Sequence, residues 1–138
     1  MTLNDRREYV YFVTTYNLRV EMDCHIRNLR SVHPARDAID ALQTVLTIEN
    51  NKWARPSEER VHRIRLANER FFRSVGRMAA GRAMMQTLGF EESTCGMWLQ
   101  ANPGPDEFHT DRFHRAVSEV INRHLHELRD EVEDEGIL

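Results

Sequence analysis

Two spacings govern where apolar residues fall in this chain. Ala38, Leu42 and Val45, with Ile39 and Leu46 beside them, recur every three or four positions. So do Phe113, Val117, Val120, Ile121, Leu125 and Leu128. That period lays one apolar stripe along a helix. It predicts a helix from Pro34 to about Glu49 and a longer one from about Asp106 to Val132. A helix is also expected from Asn4 to Arg30, as an addition packed on the domain. Tyr9, Val13, Tyr16 and Val20 form its expected inner face, with Phe12 beside them and Ile26 and Leu29 continuing the spacing. From Val61 to Leu66 the period drops to two. Val61, Arg63 and Arg65 alternate with His62, Ile64 and Leu66, which is strand spacing. Gly96 to Gln100 reads as a second short strand.

The punctuation agrees with these elements. Pro34 suits the first turn of a helix, where its missing N–H costs nothing. Asn50 and Asn51 are expected to end that helix, leaving Trp53 and Pro56 in a loop. Ser57 to Arg60 can form a single capped turn. Asn68 stands where a helix N-cap belongs, before Phe71, Phe72 and Val75. Gly76 interrupts, and Met78, Met85 and Leu88 continue a helix that Gly89 closes just past its end. Phe90 is apolar immediately after that stop. Gly81, inside the helix, implies close approach of another backbone, because glycine there costs about 1 kcal/mol against alanine. Asn102-Pro103-Gly104-Pro105 is a turn cluster. The acidic end, from Glu131 to Leu138, is expected to fray. Helices, strand, helices, strand, helix make an α+β domain, mainly helical with a small antiparallel sheet.

Charge divides the chain more sharply than its total of −3 suggests. Lys52 to Arg82 carries nine basic and three acidic residues, whereas Ala83 to Leu138 carries four and twelve. A basic middle is followed by an acidic end. Only Lys52 among the nineteen basic residues is lysine. Arginine presents a planar fork that matches carboxylates, so the bias favours recognition. With 138 residues, 41% of them hydrophobic, the chain can build one core without disulfides or metal. Cys24 and Cys95 give no disulfide framework. The polar start and the lack of any long apolar run predict a cytoplasmic or nuclear protein without membrane contact.

Chemical motifs are few. The chain has no Gly-rich phosphate loop, nucleophile elbow or Cys-x-x-Cys pair. His109 and His114 are five apart and His124 and His126 two apart, so neither pair shares a helix face as metal ligands would at four. No group orients a histidine toward Cys95 for nucleophilic work. The arginines between Arg55 and Arg82, interleaved with Phe71 and Phe72, suit single-stranded nucleic acid, although both rings stand at core spacing. The remaining reading is a peptide groove. Asn51, Arg63, Arg65 and Asn68 would clamp an extended backbone and pair with its carboxylates. Equally, the two asparagines are caps and the arginines a solvated strand face.

The order of these pieces resembles a PUB domain, the module of peptide:N-glycanases and of several UBA- or UBX-containing proteins. The matching residues are Asn51, Pro56-Ser57-Glu58-Glu59, Ile64-Arg65-Leu66-Ala67-Asn68, Phe71, Gly81 and Leu88-Gly89-Phe90-Glu91-Glu92. The resemblance covers a little under half of the chain. It implies a PUB-like domain over 34–138, preceded by a helical extension over 1–33. It further implies a monomeric, non-enzymatic interaction module without cofactor or nucleic acid. The expected partner is the acidic C-terminal tail of the AAA+ ATPase valosin-containing protein, in ubiquitin and ER-associated degradation pathways. The alternative is a scaffold module for another acidic peptide or, less favoured, an arginine-rich nucleic-acid binder. The implied peptide-binding residues are Asn51, Arg60, Val61, Arg65, Asn68, Gly89 and Phe90. In this scheme Arg60 and Arg65 attract the acidic tail, and Asn51 and Asn68 hold its backbone. Val61 and the Gly89-Phe90 turn receive its apolar side chains. Val61 departs from the glycanases of this family, where tyrosine is common at this position, which makes the apolar slot shallower.

Overall fold

A computed structural model describes the backbone of residues 3–135 and the side chains of 15–135. Four longer helices enclose the core: α1 (Leu3–Val32), α2 (Ala35–Ala54), α4 (Ala79–Thr87) and α5 (Asp111–Asp134). A single helical turn, α3 (Glu69–Phe71), runs into a π turn over Phe72–Gly76. The strands are β1 (Arg63–Arg65), β2 (Glu91–Glu92) and β3 (Trp98–Gln100). They form an antiparallel sheet in the order β1-β3-β2, so the expected α+β class holds. Arg63, Ile64 and Arg65 face Gln100, Leu99 and Trp98, and Glu91 and Glu92 face Gln100 and Leu99.

The stripe of α5 is buried as its spacing requires, from Phe113 through Leu128 to Val132. Each such side chain contributes about 1.5–3 kcal/mol on leaving water. The helix starts later than Asp106, however. Asp106 accepts the Phe108 N–H and caps a 3-10 turn over Glu107–His109, and Thr110 then caps α5 by accepting the Phe113 N–H. Two caps in succession leave no room for one continuous helix.

Two other expectations are corrected. The inner face of α1 is Leu18, Met22, Ile26 and Leu29, all buried, while Tyr16 and Val20 are more than half exposed. Burial of these four side chains sets the rotation, and the flanking charges follow it. Arg19, Asp23 and Arg30 reach partners on α5, and Glu21 accepts from Thr87 on α4. Ile26 and Leu29 fall where predicted. Tyr9, Phe12 and Val13 lie outside the described side chains, as do residues 136–138 of the acidic end. Leu18, Met22, Ile26 and Leu29 pack in the same core as α2, α4 and α5.

Helix α2 does not stop at Glu49. It continues to Ala54, and Glu49 and Lys52 carry its buried stripe onward from Val45. Asn50 and Asn51 sit on its exposed side, and Trp53 is helical. The stop comes from Pro56, which excludes helical geometry at Arg55 (φ −135°, ψ 63°).

The glycines behave as their positions demand. A Cβ on Gly81 would stand 2.5 Å from the Val75 carbonyl oxygen, the close backbone approach inferred from sequence. Gly89 has φ +97° and closes α4. The Phe90 N–H bonds the Met85 carbonyl and the Gly89 N–H that of Gln86, a Schellman arrangement whose apolar residue is the buried Phe90.

Candidate functional site

Strand β1 and the turn after it set the side chains of the central motif. Arg63 and Arg65 point outward, with half-buried Ile64 between them on the inner side. The Asn68 N–H bonds the Arg65 carbonyl at 2.9 Å and folds the chain back at once. Asn68 then caps α3, its Oδ1 accepting the Phe71 N–H at 3.0 Å. Cap and exposed amide are therefore combined in one residue. The oxygen is used, whereas the two amide hydrogens on Nδ2 have no partner among the described residues.

The other predicted positions distribute as follows. Asn51 is exposed at the start of the last turn of α2. Arg60 is exposed in the 3-10 turn Glu59–His62 and pairs with Glu58 at 3.1 Å, so it is not a free cation. Val61 is half-buried in the same turn. Gly89 is half-buried, and a Cβ there would stand 2.9 Å from the Phe108 ring. Phe90 is fully buried. Its ring packs in the core, and with Gly89 it also borders the cavity beside this turn. That cavity, of about 750 Å³, is also lined by Gln86, Glu91, Glu92, Gln100 and Phe108.

Buried polar contacts tie these segments together. Lys52, next to Asn51, donates to the Leu88 carbonyl at 2.9 Å, next to Gly89. It also lies 3.0 Å from Glu49 Oε1 and 4.5 Å from the centre of the Phe113 ring. Burial pushes the Lys52 amine below its ordinary range, and the Glu49 carboxylate opposes that shift. The second Glu49 oxygen meets His114 Nδ1 at 3.1 Å, and His114 stacks on Trp53. On the far side of the turn, His62, next to Val61, donates from Nδ1 to the Glu58 carbonyl. Its Nε2 lies 2.7 Å from Nε2 of His109, whose Nδ1 meets Asp106 at 2.5 Å. Sequence reasoning passed over Glu49, Lys52 and this histidine pair. The two histidines are 47 positions apart, and only the fold makes them neighbours.

Trp98 was also missed. Its ring is half-buried opposite Arg65, and the guanidinium carbons of Arg63 and Arg65 lie 4.2 Å and 5.5 Å from its centre. Among the described residues no carboxylate comes within ion-pair reach of Arg63 or Arg65. At the neighbouring hairpin tip, the Ser93 hydroxyl and the Met97 backbone draw the Cys95 thiol below its usual range, and the field of Arg63 adds to this. Both described cysteines are exposed and free.

Among the described residues no cluster of three or more His, Cys, Asp or Glu is arranged to hold a metal ion. No helix there is long and apolar enough to cross a membrane. A scan against protein-family models finds no match, and neither the curated proteins nor the solved structures yield one.

Proposed function

We propose that this chain is a PUB-like interaction module that binds a short acidic peptide terminus, with the tail of the AAA+ ATPase valosin-containing protein as its first candidate partner. The observation that carries the reading is the strand-turn-helix of Arg65 to Phe71. It presents an exposed guanidinium without a carboxylate and an exposed amide with two unused donors, and the 2.9 Å turn bond fixes one relative to the other. A carboxylate answers the first group and a peptide carbonyl the second. In this reading Arg65 is the central charge and Arg60, already paired with Glu58, contributes to steering. Asn51 and the Gly89 backbone complete the polar lining, and Val61 supplies the apolar contact. The role is that of an adaptor in the cytoplasm or nucleus, acting as a monomer and without catalysis. A scaffold module for a different acidic peptide is the alternative, since Val61 stands where the glycanases commonly have tyrosine.

Titration with the tail peptide, followed by chemical shifts, tests it. Affinity is expected at micromolar strength, on the order of −7 to −8 kcal/mol, because so few anchors are engaged. The variant Asn68→Asp keeps the cap acceptor but loses the donors and adds a repelling charge. It should melt like the parent and lose the peptide. Unchanged affinity in that variant removes Asn68 from the site.

A further inference from the structure

The sheet carries a feature that a terminus-binding groove does not need. Arg63 and Arg65 stand on the same side of β1, two residues apart, so their Cα atoms are about 6.5 Å apart along the strand. Trp98 of β3 lies against both guanidinium groups, whose carbons are 4.2 Å and 5.5 Å from the centre of its ring. Neither has a carboxylate partner, whereas Arg19, Arg27, Arg30, Arg55, Arg60 and Arg123 each do. Strand β1 is at the edge of the sheet. Leu66 donates to Met97, and His62 accepts from Ala101. By antiparallel alternation the backbone N–H groups of Arg63 and Arg65 therefore point to the outer side of that edge. On the same face the first row runs from Arg63 through Gln100 to Glu91. The face is thus positive along β1 and negative along β2.

We propose that this ladder selects an acidic peptide whose carboxylates alternate along an extended chain. The inference rests on the peptide-binding reading above and names what the residues ahead of the terminus must be. An extended peptide beside β1 advances at the same pitch as the strand, so acids two positions apart meet Arg63 and Arg65 together. Adjacent acids point to opposite sides, and only one can reach an arginine. Two charges over one indole set a spacing rule that one arginine alone cannot impose.

Three synthetic peptides with identical terminal residues test this, one with acids at alternate positions ahead of the terminus, one with the same acids adjacent, and one with neutral amides in their place. Anisotropy titrations should show the alternate peptide binding the parent about three- to fivefold more tightly than the adjacent one, the scale of exposed ion pairs. In Arg63→Ala that preference should vanish while the neutral peptide binds as before. In Asn68→Asp all three should weaken, the two acidic peptides at least as much as the neutral one, with the alternate-over-adjacent preference kept. Equal binding of alternate and adjacent peptides to the parent overturns the spacing rule and leaves the terminus reading standing. Failure of all three to bind the parent removes the reading and the rule together. Tighter binding of a single-stranded oligonucleotide, falling steeply with salt, assigns the face to nucleic acid instead and overturns the proposal.

Discussion

Charges at the helix interfaces and charges on the sheet face are handled in opposite ways. Between α1 and α5, Arg30 donates to Glu127 and Glu131 at 2.6 Å each and to Nδ1 of His124 at 2.8 Å. His124 is buried, and Asp23 binds its other ring nitrogen at 2.6 Å as well as Arg27 and Arg123. Within the body, Lys52 and Glu49 answer one another at 3.0 Å. On the sheet, Arg63 and Arg65 have only an indole. The difference separates two uses of the same residue types. Groups that lose water on folding must be answered inside the protein, because a lone buried charge is very costly. Groups left in water are free of that demand, and one without a partner is available to a ligand.

Substitutions should divide along that line. The largest loss is expected for Lys52→Met, which leaves the Glu49 carboxylate buried without its cation and the Leu88 carbonyl without its donor. About 3–5 kcal/mol should disappear from chemical denaturation. Arg30→Ala comes next, at about 2–3 kcal/mol, since it strands His124 Nδ1 and two carboxylates at once. If either variant unfolds at the parent's urea midpoint, inward pairing is not what holds these interfaces.

Acid should weaken the charge cluster that Asp23 anchors on α1 by a smaller amount. The hydrogen bond from Arg27, with help from His124, lowers the Asp23 carboxyl from 3.8 to about 2. A depressed carboxyl stabilises the fold at pH values above its unfolded pKa, and that contribution is lost as pH falls through about 2. After solvent screening the effect is about 1 kcal/mol. Melts of Asp23→Asn should therefore show a flatter pH dependence between about pH 4 and pH 2. A slope equal to that of the parent would contradict this assignment. The smallest effect belongs to the sheet face. Arg63→Ala and Arg65→Ala should each change stability by less than about 0.5 kcal/mol. Arg65→Ala should nonetheless weaken the peptide by about 1–3 kcal/mol if it meets a carboxylate. A large stability loss in either would make the arginines structural and end the comparison.

What the sequence disclosed depended on whether a signal was periodic or tertiary. The stripe of α5, the Asn68 cap, the Gly89 stop and the close approach at Gly81 were all legible, because each is imposed by local geometry. The end of α2 was not, since its buried stripe passes from Val45 to a charged pair, and charge next to Asn50 and Asn51 reads as an exit into solvent. The face of α1 was misjudged for the reverse reason. Tyr16 and Val20 are apolar yet exposed, and the competing stripe of Leu18, Met22, Ile26 and Leu29 has the same helical spacing, so periodicity alone did not choose between the two faces. Strand β2 escaped because Glu91 and Glu92 are two exposed acids with no alternation to detect. Arg65 and Asn68 were named from the motif they stand in, but Trp98 becomes their neighbour only through the β1–β3 register.

The position of Lys52 has one more consequence, which concerns the end of α4. The peptide dipoles of a helix add up to a partial negative charge at its C-terminus, carried by its last free carbonyls. Helix α4 ends beside Gly89, so an acidic ligand approaching that turn would meet repulsion from the backbone itself. The Lys52 amine sits on the Leu88 carbonyl at that pole, with its Glu49 partner on the other side. The pair forms a small counter-dipole whose positive end faces the helix terminus. Its field cancels part of the repulsion from within, so the turn can stay free of basic side chains and still tolerate a carboxylate nearby.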